Sequence, residues 1–263
     1  MFGNRMQPSA IPERVYALCR EIVSRPIEET KLKALLEPQN FGGKQEYFGN
    51  VRAAAEEIGL ISTKENVISL AVDKNEVKTM ENMRRYINLQ MEQVSDSLFY
   101  KVTSQYFDMD AEVLKHTSVS KMSDLMGRSI GEKVIEEDMR AWRFWTAFLG
   151  FGYMHEPTSA AGILLPNAAT FLNDVIKDRK FKKNTTFAIN EFVSEIRPSA
   201  NIVLNNAVDT KKFNMGFSNA LRMLHDLGVI KAEHRSDALE IWTLYPCEGH
   251  DLDTTITHVT IGG

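Results

Sequence analysis

Five groups of residues in this chain have types and spacing that invite a chemical reading. Cys247, His250 and Asp253 recur three apart, with His258 nearby, and thiolate, imidazole and carboxylate are the donors a zinc ion takes. A polar segment carrying such residues explains the same pattern, so no metal is expected. Gly42-Gly43-Lys44 has the core of a phosphate-cradling loop. That motif needs a further glycine five positions ahead of the Gly-Lys pair and a hydroxyl residue after it, where this chain has Pro38 and Gln45. Ser118 and Lys121 match the spacing of an acyl-transfer nucleophile and its lysine without the supporting elements. His155-Glu156 lacks the second histidine of a zinc helix, and no glycine fingerprint for a dinucleotide follows a strand. Catalytic residues, cofactor and metal are all expected to be absent.

The fifth group suits nucleic acid. Asn214, Ser218, Asn219 and Arg222 lie together; Asn and Arg make bidentate contacts with adenine and guanine edges, and Ser bonds bases or phosphates. Lys211 and Lys212 stand just ahead of them and can hold the backbone. Lys182 and Lys183 end the run Lys177-Asp178-Arg179-Lys180-Phe181-Lys182-Lys183, whose five positive charges against one negative make it the most basic stretch of the chain. A solvated loop has the same composition, so its place before the third unit is what favours phosphate contact.

The element that must position these residues runs from Phe213 to Pro246. Phe213, Phe217, Leu221, Leu224 and Leu227 recur at steps of three and four, which puts them on one face of a helix. The helix is expected over 214–227, closed by Gly228. It leaves Met215, Ser218, Asn219, Arg222 and Asp226 facing outward. Val229 to Glu233 and Leu239 to Tyr245 then read as two strands of a hairpin turning at Arg235 to Asp237.

The same device occurs twice more, closed by Gly59 and Gly150. In the first unit, Pro12 opens a helix that continues to Val23, Thr30 is expected to cap a second over Leu32, Leu35 and Leu36, and Phe48, Val51, Ala55 and Ile58 face inward on a third. Strands follow on either side of Lys64-Glu65-Asn66. Its outward positions, Glu46, Asn50, Ala53 and Glu57, offer little to a polyanion, with Lys44 and Arg52 at the margins. The middle unit carries Trp142, Phe144, Trp145, Phe148 and Phe151 around one helix, and a helix apolar all round is usually buried. That suits a structural hub or a partner-binding surface, with a ligand pocket among the aromatics as the alternative. Between the first two units, Val77, Met80, Ile87, Met91, Val94 and Leu98 form a seam interrupted by Arg84, read as a packed linker with a homodimer seam as the alternative. Arg197-Pro198 is expected to break a helix of the last unit.

Composition agrees with several small cores. The 263 residues are 43% hydrophobic and 25% charged with net charge −4, ordinary for a globular protein and unlike a broadly basic surface. Two cysteines, Cys19 and Cys247, do not make a disulfide framework. With no signal-like start and no apolar run of roughly 18 residues, a cytoplasmic protein without a membrane span is expected.

Three helices, a glycine and a hairpin in this order resemble the winged-helix family. The whole chain is similar, more loosely, to the multi-winged-helix accessory proteins of bacterial DNA-modification and phage-defence systems, the DpdG type. The fold expected is mostly α with small β-hairpins, as tandem winged helices joined by a helical middle: 11–72, 73–166 with a degenerate unit, 167–246, and a polar tail over 247–263. The resemblance implies an accessory role, and the residues themselves add a non-enzymatic protein whose third unit reads double-stranded DNA with Lys182, Lys183, Lys211, Lys212, Asn214, Ser218, Asn219 and Arg222 while the first two units supply partner contacts. The alternative is a protein-interaction scaffold in a complex, without DNA contact.

Overall fold

The computed structural model describes residues 5–38, 47–116, 118–155, 164–252 and 254–262. It is mostly helical with small antiparallel sheets of two or three strands. Among the described residues no helix is long and apolar enough to cross a membrane.

Residues near the N-terminus form α1 (Pro12–Ile22), β1 (Ile27–Glu28), α2 (Glu29–Leu36), α3 (Phe48–Glu57), β2 (Ile61–Lys64) and β3 (Val67–Leu70). Pro12 opens α1 as expected of a residue without an N–H to satisfy. Thr30 does not cap α2. It lies inside the helix and donates to Glu28 Oε1 at 2.6 Å, while Leu35 on the same helix is exposed. The strands order as β1-β3-β2, with Ile27 opposite Ile68 and Ile61 opposite Leu70. Glu65 and Asn66, both at positive φ, make the two-residue turn a tight hairpin requires. The Gly42-Gly43-Lys44 stretch and Glu46 lie outside the described residues.

The connector is α4 (Met80–Gln90) and a 3-10 turn over Met91–Val94. Most of its seam is taken up inside this chain: Val77, Ile87, Met91 and Leu98 are buried, with Met80 and Val94 half-buried. Arg84, which interrupted the apolar spacing, reaches Asp174 with Nε to Oδ2 at 2.9 Å and Nη2 to Oδ1 at 3.2 Å. Asn88, one turn on, donates to the same carboxylate at 2.9 Å. Asp174 is fully buried, so this clamp holds connector and last unit together.

The middle unit comprises α5 (Leu98–Asp108), a 3-10 turn (Asp110–Lys115), α6 (Val119–Ile130), α7 (Glu136–Leu149), β4 (Gly152–Met154) and β5 (Leu164–Pro166). Trp142, Trp145 and Phe151 are buried, with Phe144 and Phe148 half-buried. Both indoles are spoken for: Trp142 Nε1 donates to Thr103 Oγ1 at 2.9 Å and Trp145 Nε1 to the Ala10 carbonyl at 2.6 Å. The second bond, with Asp138 accepting from Met6 N at 3.0 Å, docks the N-terminal segment on α7. The aromatic helix is a packing hub.

The last unit contains α8 (Ala169–Arg179), β6 (Thr186–Ala188), α9 (Ile189–Leu204), α10 (Ala207–Thr210), α11 (Met215–Asp226), β7 (Ile230–Glu233), β8 (Trp242–Thr243), β9 (Thr255–Ile256) and β10 (His258–Ile261). Two expectations change here. Pro198 does not break α9, which runs through it. A proline has no N–H to bond the carbonyl four residues back, at Ser194, yet the helix continues with Ile196, Ala200, Ile202 and Val203 buried along its apolar face. The strand that pairs with β7 is not 239–245 but β10, in the order β6-β10-β7 with Val259 opposite Ala232. Residues 247–263 therefore supply β9 and β10 instead of a polar tail. Gly59, Gly150 and Gly228 all sit at positive φ, 77°, 83° and 68°, the left-handed backbone that ends a helix and turns it into a strand.

Candidate functional site

α11 begins as its sequence demands. Asn214 caps it, Oδ1 accepting from Phe217 N at 2.9 Å, while Nδ2 donates to the Val203 carbonyl at 2.8 Å. Phe213, Phe217, Leu221 and Leu224 are buried, and Phe213 stacks on Phe217 with ring centroids 4.8 Å apart. Leu227, placed on this face by its spacing, is instead 64% exposed.

The opposite face, expected outward, is covered. Ser218 is fully buried, and its Oγ accepts from Tyr245 N at 2.8 Å. Asn219 is half-buried and donates to the Pro166 carbonyl at 3.1 Å. Arg222 is 4% exposed, and Nε, Nη1 and Nη2 all lack a hydrogen-bond partner among the described residues. Burial pushes the guanidinium pKa down, opposed by Cys247. Met215 is buried, its N–H donating to Asp110 Oδ1 at 2.6 Å. Gly216 packs so closely that a Cβ there would stand 2.3 Å from the Phe107 ring and 2.9 Å from Pro166 Cβ. Two roofs make this burial: the β4–β5 hairpin with α5 on one side, and residues 244–252 on the other. Amphipathic spacing identifies the face a helix turns to its own unit and says nothing of what covers the other face.

The lysines remain at the surface but do not converge. Lys211 and Lys212 are exposed ahead of α11, Lys211 paired with Glu240 at 2.6 Å. Lys182 and Lys183 are exposed at the other end: Asn184 N donates to Ile261 O, and Gly262 N to Val229 O just past Gly228. The 12 residues of α11 separate the two pairs by about 18 Å at 1.5 Å per residue.

The other clusters fare similarly. His250 has both ring nitrogens engaged, Nε2 with Asp226 Oδ2 at 3.2 Å and Nδ1 with Leu252 N at 2.9 Å. Cys247 is exposed, and Asp253 lies outside the described residues. Among the described residues no three potential ligands gather for a metal. Ser118 stands just ahead of α6 and Lys121 is exposed on its first turn.

One surface feature was not foreseen. Tyr153 and Leu165 face each other across β4 and β5 and are 48% and 41% exposed. Tyr153 Oη lies 3.3 Å from Met223 Sδ on α11, and Leu227 is one turn beyond Met223. Four apolar side chains thus form a patch that crosses from the middle unit to the last. In the sequence only the doubled Leu164-Leu165 hinted at it, since alternation buries Leu164 and exposes its neighbour. No protein-family model matches the chain, and no curated protein or solved structure does.

Proposed function

We propose that the chain is a non-enzymatic scaffold of tandem winged-helix units that holds partner proteins, as an accessory component of the kind found in bacterial DNA-modification and phage-defence systems. The element order of the first and last units, with sheets ordered β1-β3-β2 and β6-β10-β7, supports the winged-helix reading. The observation that carries the scaffold reading is the patch of Tyr153, Leu165, Met223 and Leu227 across two units, because contiguous exposed apolar surface marks interaction sites. The test is co-purification from cells expressing the chain, comparing wild type with Tyr153→Asp plus Leu227→Asp. Loss of bound proteins from a variant that keeps its melting temperature supports the scaffold. An unchanged set of partners overturns it.

A second reading, double-stranded DNA binding, is favoured by the exposed Lys182-Lys183 pair at the end of the basic run. Its test is a titration at two salt concentrations. Replacing both lysines by alanine should lower the salt slope by about one for each phosphate that a lysine neutralises. Absence of binding at low salt would remove this reading.

A further inference from the structure

We propose that residues 244–252 are a displaceable strap over α11, and that the phosphate backbone of a nucleic acid displaces it by pairing with the guanidinium of Arg222. The inference rests on the second reading of function above, and not on the scaffold. The strap runs alongside α11 turn by turn. Tyr245 N bonds Ser218 Oγ at 2.8 Å and His250 meets Asp226 at 3.2 Å, so the residues between them pass the position of Arg222. Residues 218, 222 and 226 are successive i, i+4 positions and share one face.

The way the strap is held suits opening. Its ends are pinned by Leu244, 1% exposed, and Leu252, 7% exposed. Between them no side chain is buried, and Gly249 sits at positive φ. A segment with few buried apolar contacts opens at low free-energy cost. Beneath it the closed state carries a penalty, since a guanidinium is always charged and is costly to bury with its nitrogens unpartnered among the described residues. Lifting the strap relieves that penalty.

The ligand must bring anionic oxygens that match the planar guanidinium fork, which phosphate does. It must also be extended. Lys212 lies before α11, Arg222 along it, and Lys182 and Lys183 past its far end, so the cations are spread over about 18 Å. That is a run of phosphates, not one carboxylate. Glu248 and Asp251 of the strap are exposed and acidic, so an incoming backbone replaces charge of its own sign.

The experiment loosens the strap without touching Arg222. Tyr245→Pro removes the N–H that holds Ser218, and Asp226→Ala removes the contact with His250. Anisotropy titrations at low salt would use a labelled duplex, the corresponding single strand and poly-glutamate, with amide exchange at 244–252 reporting opening. The expected result is faster exchange and nucleic-acid affinity raised about tenfold, within the usual range of coupling between sites. Adding Arg222→Ala should return affinity to the wild-type level, and the stronger of the duplex and single strand identifies the source of the backbone. Should Tyr245→Pro fail to fold, Ser218→Ala with Asp226→Ala carries the same test. Faster exchange with unchanged nucleic-acid affinity overturns the proposal, as does exchange that no variant accelerates. A gain confined to poly-glutamate assigns the face to an acidic peptide and overturns it too. Binding that is equal in wild type and loosened chain sinks the strap and leaves DNA binding standing; no binding by either sinks both.

Discussion

Counted back from the glycine that closes each helix, α3 and α11 match position for position, and their outer faces have opposite fates. Asn50 corresponds to Asn219, and both are half-buried. Gly49 is exposed where Ser218 is fully buried, and Ala53 is half-exposed where Arg222 is 4% exposed. The two units differ in what joins their last strands. In the first, β2 and β3 meet through Glu65 and Asn66. In the last, residues 234–257 intervene between β7 and β10, and they carry the strap. A longer connection, not a different helix, covers the face.

The comparison is sharpened most by Arg222→Met. Exchanging an unpaired buried cation for an apolar side chain of similar length should raise unfolding free energy by about 1–4 kcal/mol. Ala53→Arg, at the matching open position, should stay within about 0.5 kcal/mol. Denaturant midpoints of both variants check this, and a loss of stability in Arg222→Met would mean that the guanidinium is paired in solution. Next in size is a glycine pair. Gly216→Ala drives a methyl into Phe107 and Pro166 and should cost about 1–3 kcal/mol. Gly49→Ala meets nothing within 4 Å and should gain up to about 1 kcal/mol. Equal effects in thermal melts would break the contrast between covered and open helix.

Ser218→Ala removes the acceptor for Tyr245 N and should cost about 1 kcal/mol, read as a small drop in denaturant midpoint and faster exchange at Tyr245. The smallest effect is on pH dependence. Burial raises the pKa values of Asp108 and Asp110, which bond the Asn205 and Asn206 amides and the first N–H of α11. A carboxylate with a raised folded pKa binds its proton more tightly in the folded state. Its contribution to stability is therefore full below the ordinary aspartate range and is lost as pH rises through the raised values. These two groups therefore make stability fall as pH rises through their raised values. Asp108→Asn plus Asp110→Asn should flatten the pH profile of the melting temperature, and an unchanged profile would remove these two groups as its cause.

What the sequence made legible was local. Gly59, Gly150 and Gly228 announce themselves because a left-handed helix end favours glycine wherever the chain lies. Asn214 likewise caps the helix that follows it. Pairing over distance was not legible. The run 239–245 has the composition of a return strand, yet Trp242 and Thr243 pair with β9 while β7 takes β10, since β-propensity names a strand and not its partner. Pro198 reads as a break, yet the helix runs on through it with Ile196, Ala200, Ile202 and Val203 buried against other elements, packing that a local signal does not report. Ser218 and Asn219 read as exposed because polarity is the only cue to exposure, and the groups that bond them lie far along the chain at Tyr245 and Pro166. The exposed patch escaped for the same reason: each of its four residues is an ordinary apolar position until the fold leaves it uncovered.

The place of β10 in its sheet bears on how the chain is made. It is the central strand, flanked by β6 and β7, and it follows both of them in the sequence. During synthesis the first unit can close its sheet as soon as β3 emerges. The last unit must wait with two unpaired strand edges until His258 to Ile261 leave the ribosome. Such edges invite wrong pairing with other chains, so interrupted translation short of residue 258 should yield an aggregation-prone product, whereas a pause after residue 72 should be harmless.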